Sequence, residues 1–299
     1  MNQRALSTTA FLTLLALASL MGANHVAARV AFNHGTDVAT AVVFRSAITA
    51  AVLGVLLWHQ RPTQWPEARQ WRVLVGAGLL VGLQSLCLYA AVARLPVALA
   101  LLAFNTFPMF VAFWGWALYG QRPSRQVLLV MPVLILGLAL ALDVLGAASG
   151  LGAQLHWQRI GLGFALALAG AASFGLVLVL TQHEVAQVDA RLRTATTMAL
   201  AGLVAVAMGV SQASWQLPLT PTGWVGLALL TVFYGTGITV LLTVLPRWGV
   251  AGNSPILNIE PVIALVLAWL VLGQTIAAVQ VLGALLVVGG VMTLGLRRR

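Results

Sequence analysis

Lysine is absent from this 299-residue chain, and cysteine occurs once, at Cys87. Without lysine no GxxxxGK[ST] phosphate loop can form, so the chain alone does not drive work with ATP. One cysteine excludes an internal disulfide framework and argues against a zinc site; Cys87, inside an apolar run, reads as a small buried hydrophobe. Charge is equally scarce. Charged residues make up 7% of the chain, against about 25% in soluble domains. That leaves too little polar surface to keep a soluble fold in solution, while the 61% hydrophobic content excludes disorder. Neither GxSxG nor HExxH occurs, and no two carboxylates lie deep in apolar sequence, so an intramembrane enzyme is an alternative without a motif behind it. No cofactor or metal pattern is present.

Apolar runs are what the chain does have. A membrane-spanning helix takes about 20 mostly apolar residues. Ten such runs occur: about 8–30, 38–58, 72–92, 96–118, 125–143, 160–181, 192–211, 223–244, 251–272 and 276–296. The first is expected to be a retained helix and not a cleaved signal, since it is long and carries Asn24 and His25. The fold class is therefore an all-α membrane protein with ten transmembrane helices.

The net charge of +10 does not indicate a nucleic-acid partner, because the arginines fall singly or in pairs between apolar runs and form no basic stripe with interleaved aromatics. With the N-terminus inside, twelve arginines lie on the inner side and three (Arg29, Arg94 and Arg159) at the outer ends, with Arg45 inside the second span. Positive charge is retained on the cytoplasmic side. Both termini are thus expected in the cytoplasm, in a bacterial inner membrane. The partners expected are the lipid bilayer and a small-molecule substrate, with a homodimer left open.

The segment AFNTFPMFVAFWGWALYGQRPS from Ala103 recurs 153 residues later as ILNIEPVIALVLAWLVLGQTIA from Ile256. Asn105, Pro108, Trp116, Gly120 and Gln121 pair with Asn258, Pro261, Trp269, Gly273 and Gln274, and Gly137 pairs with Gly290. The chain divides into two five-span repeats, 1–150 and 151–299. An odd number of spans forces the second to enter the membrane from the opposite side. Such a 5+5 inverted-topology repeat is the architecture of secondary transporters, with substrate bound where the halves meet.

These segments, together with GANHVAAR (Gly22 to Arg29) and the arginine of VVFRSAITA, resemble the EamA-type ten-helix exporters of the drug/metabolite transporter superfamily. The resemblance covers essentially the whole chain. It implies a basket of ten helices with spans 3, 4, 8 and 9 lining a central cavity, and export of amino acids, metabolites or toxic compounds. Two positions depart from the family pattern. Glutamine (Gln121, Gln274) stands where glutamate usually follows the glycine, which should alter local hydrogen bonding. His25 stands where an aromatic commonly follows the asparagine, which bears on what the cavity accepts.

Glu260, near the middle of the ninth span, is the sharpest candidate. A carboxylate at the bilayer centre costs at least ~2.5 kcal/mol. It is read as a substrate-ammonium or proton site, or as a structural group locked to Arg45 or capping backbone beside Pro261. Arg45 suits a substrate carboxylate or a packing ion pair; both together suit a zwitterion. Asn105 and Asn258 either satisfy a carbonyl freed by the following proline or bind substrate. Asn24 and His25 lie in the outer half of the first span, where His25 is structural or gates the outer mouth. Gln84, Tyr89, Trp114 and Tyr234 are candidate cavity walls, with packing as the commoner fate of such residues. The leading function is a secondary-active exporter of small metabolites by alternating access, proton coupling included. A multidrug or cationic-compound carrier is the alternative, and a channel or intramembrane enzyme the alternative of another class.

Overall fold

The computed structural model describes residues 8–62, 64–123, 125–141, 143, 153–243, 259–274 and 277–295. All regular structure among them is helical: α1 (Thr8–Asn33), α2 (Val38–His59), α3 (Ala68–Arg94), α4 (Val97–Phe104), α5 (Phe107–Tyr119), α6 (Arg125–Ala141), α7 (Ala153–Glu184), α8 (Ala190–Gln212), α9 (Pro221–Thr243), α10 (Glu260–Leu272) and α11 (Ala278–Gly295). Seven stretches are long and apolar enough to cross a bilayer, α4 and α5 counting as one, and the shorter apolar α6, α10 and α11 bring the spans to ten. Hydrocarbon offers no partner to backbone polar groups, so helices are the expected solution. Apolar side chains such as Leu129, Leu162, Val210, Leu270 and Leu282 point outward and suit lipid.

The fourth span is two helices, not one bent helix. It breaks at Asn105 and Thr106, just before Phe107–Pro108. Pro108 has no amide hydrogen to donate back to Phe104, which stops the helix there. Asn105 closes the last turn of α4, donating from both its backbone N and its Nδ2 to the Leu101 carbonyl. α4 is apolar on every side and buried along Val97–Ala103, as a helix enclosed by others must be; it packs among α3, α7 and α10.

The repeat reaches the helix ends. Shifted by 153 residues, Phe107–Tyr119 falls on Glu260–Leu272, Ala68 on Pro221 and Arg125 on Ala278. Both α5 and α10 end on a left-handed glycine, Gly120 (φ 65°) and Gly273 (φ 63°). In both, the glycine N–H returns to a tryptophan carbonyl (Trp116, Trp269) and the next glutamine N–H to the residue before it (Gly115, Ala268). This is the same terminal hydrogen-bond motif built twice. Packing obeys the same exchange: α1 lies along α9 and α10 as α7 lies along α3 and α5, while α2 pairs with α8 and α6 with α11.

The α6–α11 pair crosses backbone to backbone. A Cβ on Gly137 would sit 3.0 Å from Val287 N, and one on Gly290 would sit 2.8 Å from the Leu134 side chain, the symmetry-related contact. A Cβ on Gly283 would approach Ala141 N to 2.3 Å. Small residues let helices in lipid come this close.

Polar loops tie the helix ends. Asp37 caps α2 by accepting from Thr40 N at 3.0 Å and also accepts from Gln216 N at 2.7 Å, joining the α1–α2 and α8–α9 connections. Asp189 caps α8 and is paired with Arg191 at 2.6 Å. The neighbouring guanidinium holds the Asp189 carboxyl below the usual carboxylate range. At the same rim Glu184 accepts from Arg69 (2.7 Å) and from Tyr119 (2.8 Å), and the Tyr119 ring stacks on His183 at 4.1 Å.

Gly283→Ala places a methyl against the α6 backbone and should lower stability by about 1–3 kcal/mol. Gly289→Ala, which meets nothing within 4 Å, should leave it unchanged. Thermal denaturation of the two variants in detergent is the check.

Candidate functional site

Six of the ten sequence candidates lie in one linked polar group in the apolar bundle. Arg45, on α2, is 3% exposed. Its guanidinium carbon lies 3.9 Å from the ring centroid of Tyr234 on α9 and 4.8 Å from that of Tyr89 on α3. Its Nη2 donates to Ser85 Oγ at 2.6 Å, and Nε has no hydrogen-bond partner. Arg45 takes part in none of the ion pairs found among the described residues. The aromatic faces offset part of its desolvation, each such contact being worth about 2 kcal/mol when dry.

Tyr89 links Arg45 to α1. Its hydroxyl donates to Asn24 Oδ1 at 2.9 Å, and its ring meets the edge of His25 at 5.8 Å. His25 Nε2 then reaches Glu260 Oε1 at 3.3 Å. The carboxylate that the sequence left open to Arg45 is therefore paired with His25. The reason is local: α10 begins at Glu260 just before Pro261, and α1 passes that turn at Gly22, where a Cβ would be 3.2 Å from the Glu260 carbonyl oxygen. Glycine there favours so near an approach of α1, and His25 lies on the adjoining turn.

Among the described residues, three buried side-chain atoms of the group, Asn24 Nδ2, Arg45 Nε and His25 Nδ1, have no hydrogen-bond partner, and Ser46 Oγ, next to Arg45 in the chain, has none either. A buried polar group left unpaired costs on the order of 1–3 kcal/mol.

The remaining candidates separate. Gln84 Oε1 is 3.5 Å from Ser85 Oγ, at the margin of the group. Asn105 serves the end of α4. Trp114 lies apart, donating to the Ala172 carbonyl of α7 at 3.0 Å and packing on Phe113. Asn258 lies outside the described residues. Ser85 and Ser46 were not singled out in sequence. Ser85 is four residues before Tyr89, hence on the same helix face, and that spacing was the available signal. Gln121 bonds His183 across 2.7 Å, while Gln274 accepts from Val97 N at 3.1 Å and so caps α4. The two glutamines thus carry different bonds in their two copies.

Against known proteins, the model of the EamA-like transporter family matches twice, over residues 8–142 and 161–296. An uncharacterized transporter of Synechocystis is 25% identical over 76% of this chain; the match spans 65% of that relative, less than two thirds of its length. The threonine/homoserine exporter RhtA of Salmonella typhimurium is 24% identical over 82% of this chain and 79% of its own. A solved crystal structure superposes with a TM-score of 0.60 at 19% identity, covering 94% of this chain and 98% of that one; it shares the fold.

Tyr89→Phe removes the bond to Asn24 and orphans a further buried acceptor. It should lower stability by about 1 kcal/mol, read as a fall in melting temperature relative to the parent.

Proposed function

The chain belongs to the EamA-like transporter family, and from that premise we propose that it is a secondary-active exporter of small metabolites, amino acids foremost, working by alternating access. It is a multi-pass membrane transporter and not an enzyme. The observation that carries the finer reading is the buried Arg45, which has two aromatic faces, one serine and, among the described residues, no carboxylate of its own. A guanidinium fork matches a carboxylate in two parallel bonds, and a substrate carboxylate fills the vacant role. Glu260, on the far side of Tyr89 and His25, supplies the negative group that an α-ammonium needs. A buried cation repels a cationic drug, which weighs against the multidrug alternative.

The His25–Glu260 pair is the proposed coupling element. An imidazole and a carboxylate at 3.3 Å attract as ions and lose that attraction when one proton is moved. The pair belongs to the same linked group as Arg45, through Tyr89. The orientation proposed has both termini in the cytoplasm of a bacterial inner membrane, on the arginine distribution.

Export profiling tests the function. Expressed in a host stripped of its own amino-acid exporters, the protein should raise extracellular amino acids. Glu260→Gln should abolish proton-driven efflux, and efflux at the parent rate in that variant removes the coupling role. For orientation, Arg122→Cys and Arg191→Cys, each in a Cys87→Ser background, should react with an impermeant thiol reagent from the same side. Reaction from opposite sides overturns the topology.

A further inference from the structure

The two halves are alike in backbone, and at the site polar positions are matched across the repeat by apolar ones. Moving each polar residue by the 153-residue repeat gives its counterpart in the other half. Asn24 becomes Val177, His25 becomes Leu178, Arg45 becomes Met198, and Glu260 becomes Phe107. Ser85 and Tyr89 become Ile238 and Leu242. Every polar position has an apolar mate.

Three of those mates, Val177, Met198 and Phe107, sit in apolar packing. Val177 and Met198 pack with Val81 and Ala201 in one buried apolar cluster. Phe107 meets Phe174, three residues before Val177 on α7, at 5.1 Å between ring centroids. Tyr234 stands on the seam: it packs against the cluster, its hydroxyl reaches Met198 Sδ at 3.6 Å, and its ring covers Arg45. The polar and apolar faces are therefore contiguous across one tyrosine.

We infer that this transporter selects amino acids with apolar side chains, binding the charged head at Asn24, Arg45 and Glu260 and the side chain against Val177, Met198 and Phe107. The inference rests on the amino-acid reading proposed above and sharpens it. In an inverted repeat both halves face the bound solute, so the face carried by Val177, Met198 and Phe107, which is apolar apart from the Tyr234 hydroxyl at its seam, is the place for hydrocarbon. A hydroxyl carried there, away from that seam, would be buried unpaired, which is unfavourable. An apolar pocket resists such an isostere by roughly tenfold to a hundredfold.

Matched pairs test it. The purified full-length protein is reconstituted in liposomes loaded with unlabelled valine, and counterflow of radiolabelled valine is measured. Valine against threonine, and norvaline against homoserine, differ by a methyl in place of a hydroxyl at nearly constant shape. Norvaline and unlabelled valine should compete at concentrations about tenfold lower than homoserine and threonine. Equal competition within each pair, or preference for the hydroxyl member, overturns the inference and leaves the amino-acid reading standing. If no amino acid exchanges or competes, that reading falls and takes this one with it. Val177→Thr, which adds the missing polar group without adding bulk, should narrow the preference several-fold; an active variant with an unaltered ratio counts against the assigned surface. Should the variant not fold, the parent's ratios decide alone.

Discussion

Arg45 is a full positive charge held out of water between two tyrosine rings, with one serine as its hydrogen-bond partner. Inside hydrocarbon that arrangement is expensive, and much of the surrounding sequence makes sense as a response to it. Tyr89 and Tyr234 turn their electron-rich faces toward it. Thr49 donates to the Arg45 carbonyl one turn away. None of these contacts neutralises the charge, and among the described residues no carboxylate is paired with it.

Much of the fold was legible because the bilayer imposes a length and the repeat imposes a register. The expected spans at 38–58, 192–211 and 223–244 lie within two residues of the ends of α2, α8 and α9. The motif around Gly120 and Gly273 announced itself as a pair of like helix ends. The break of the fourth span into α4 and α5 was less visible. Pro108 signals distortion, but whether a helix bends or stops depends on whether a neighbour such as Asn105 caps the severed end.

The site was readable as a set of residue types and unreadable as a set of partners. Arg45 and Glu260 are both rare intramembrane charges, and opposite sign invites pairing them. Which partner each finds depends on the rotation of α1 against α10, and a single glycine, Gly22, sets that distance. Trp114 illustrates the converse. An indole on the fourth span looks like a cavity wall, yet its N–H is used up by a carbonyl of α7. Spacing along a helix reports the face on which a side chain lies, whereas its bonds are decided by the helix opposite.

The crossing of α6 and α11 separates two kinds of freedom. With glycines at the contact there is almost no side-chain layer to compress, so the two backbones cannot close further, and parting them forfeits dispersion contacts along the whole seam. Rolling one helix over the other forfeits far less. The pair therefore ties the two repeats together by a seam that resists their separation.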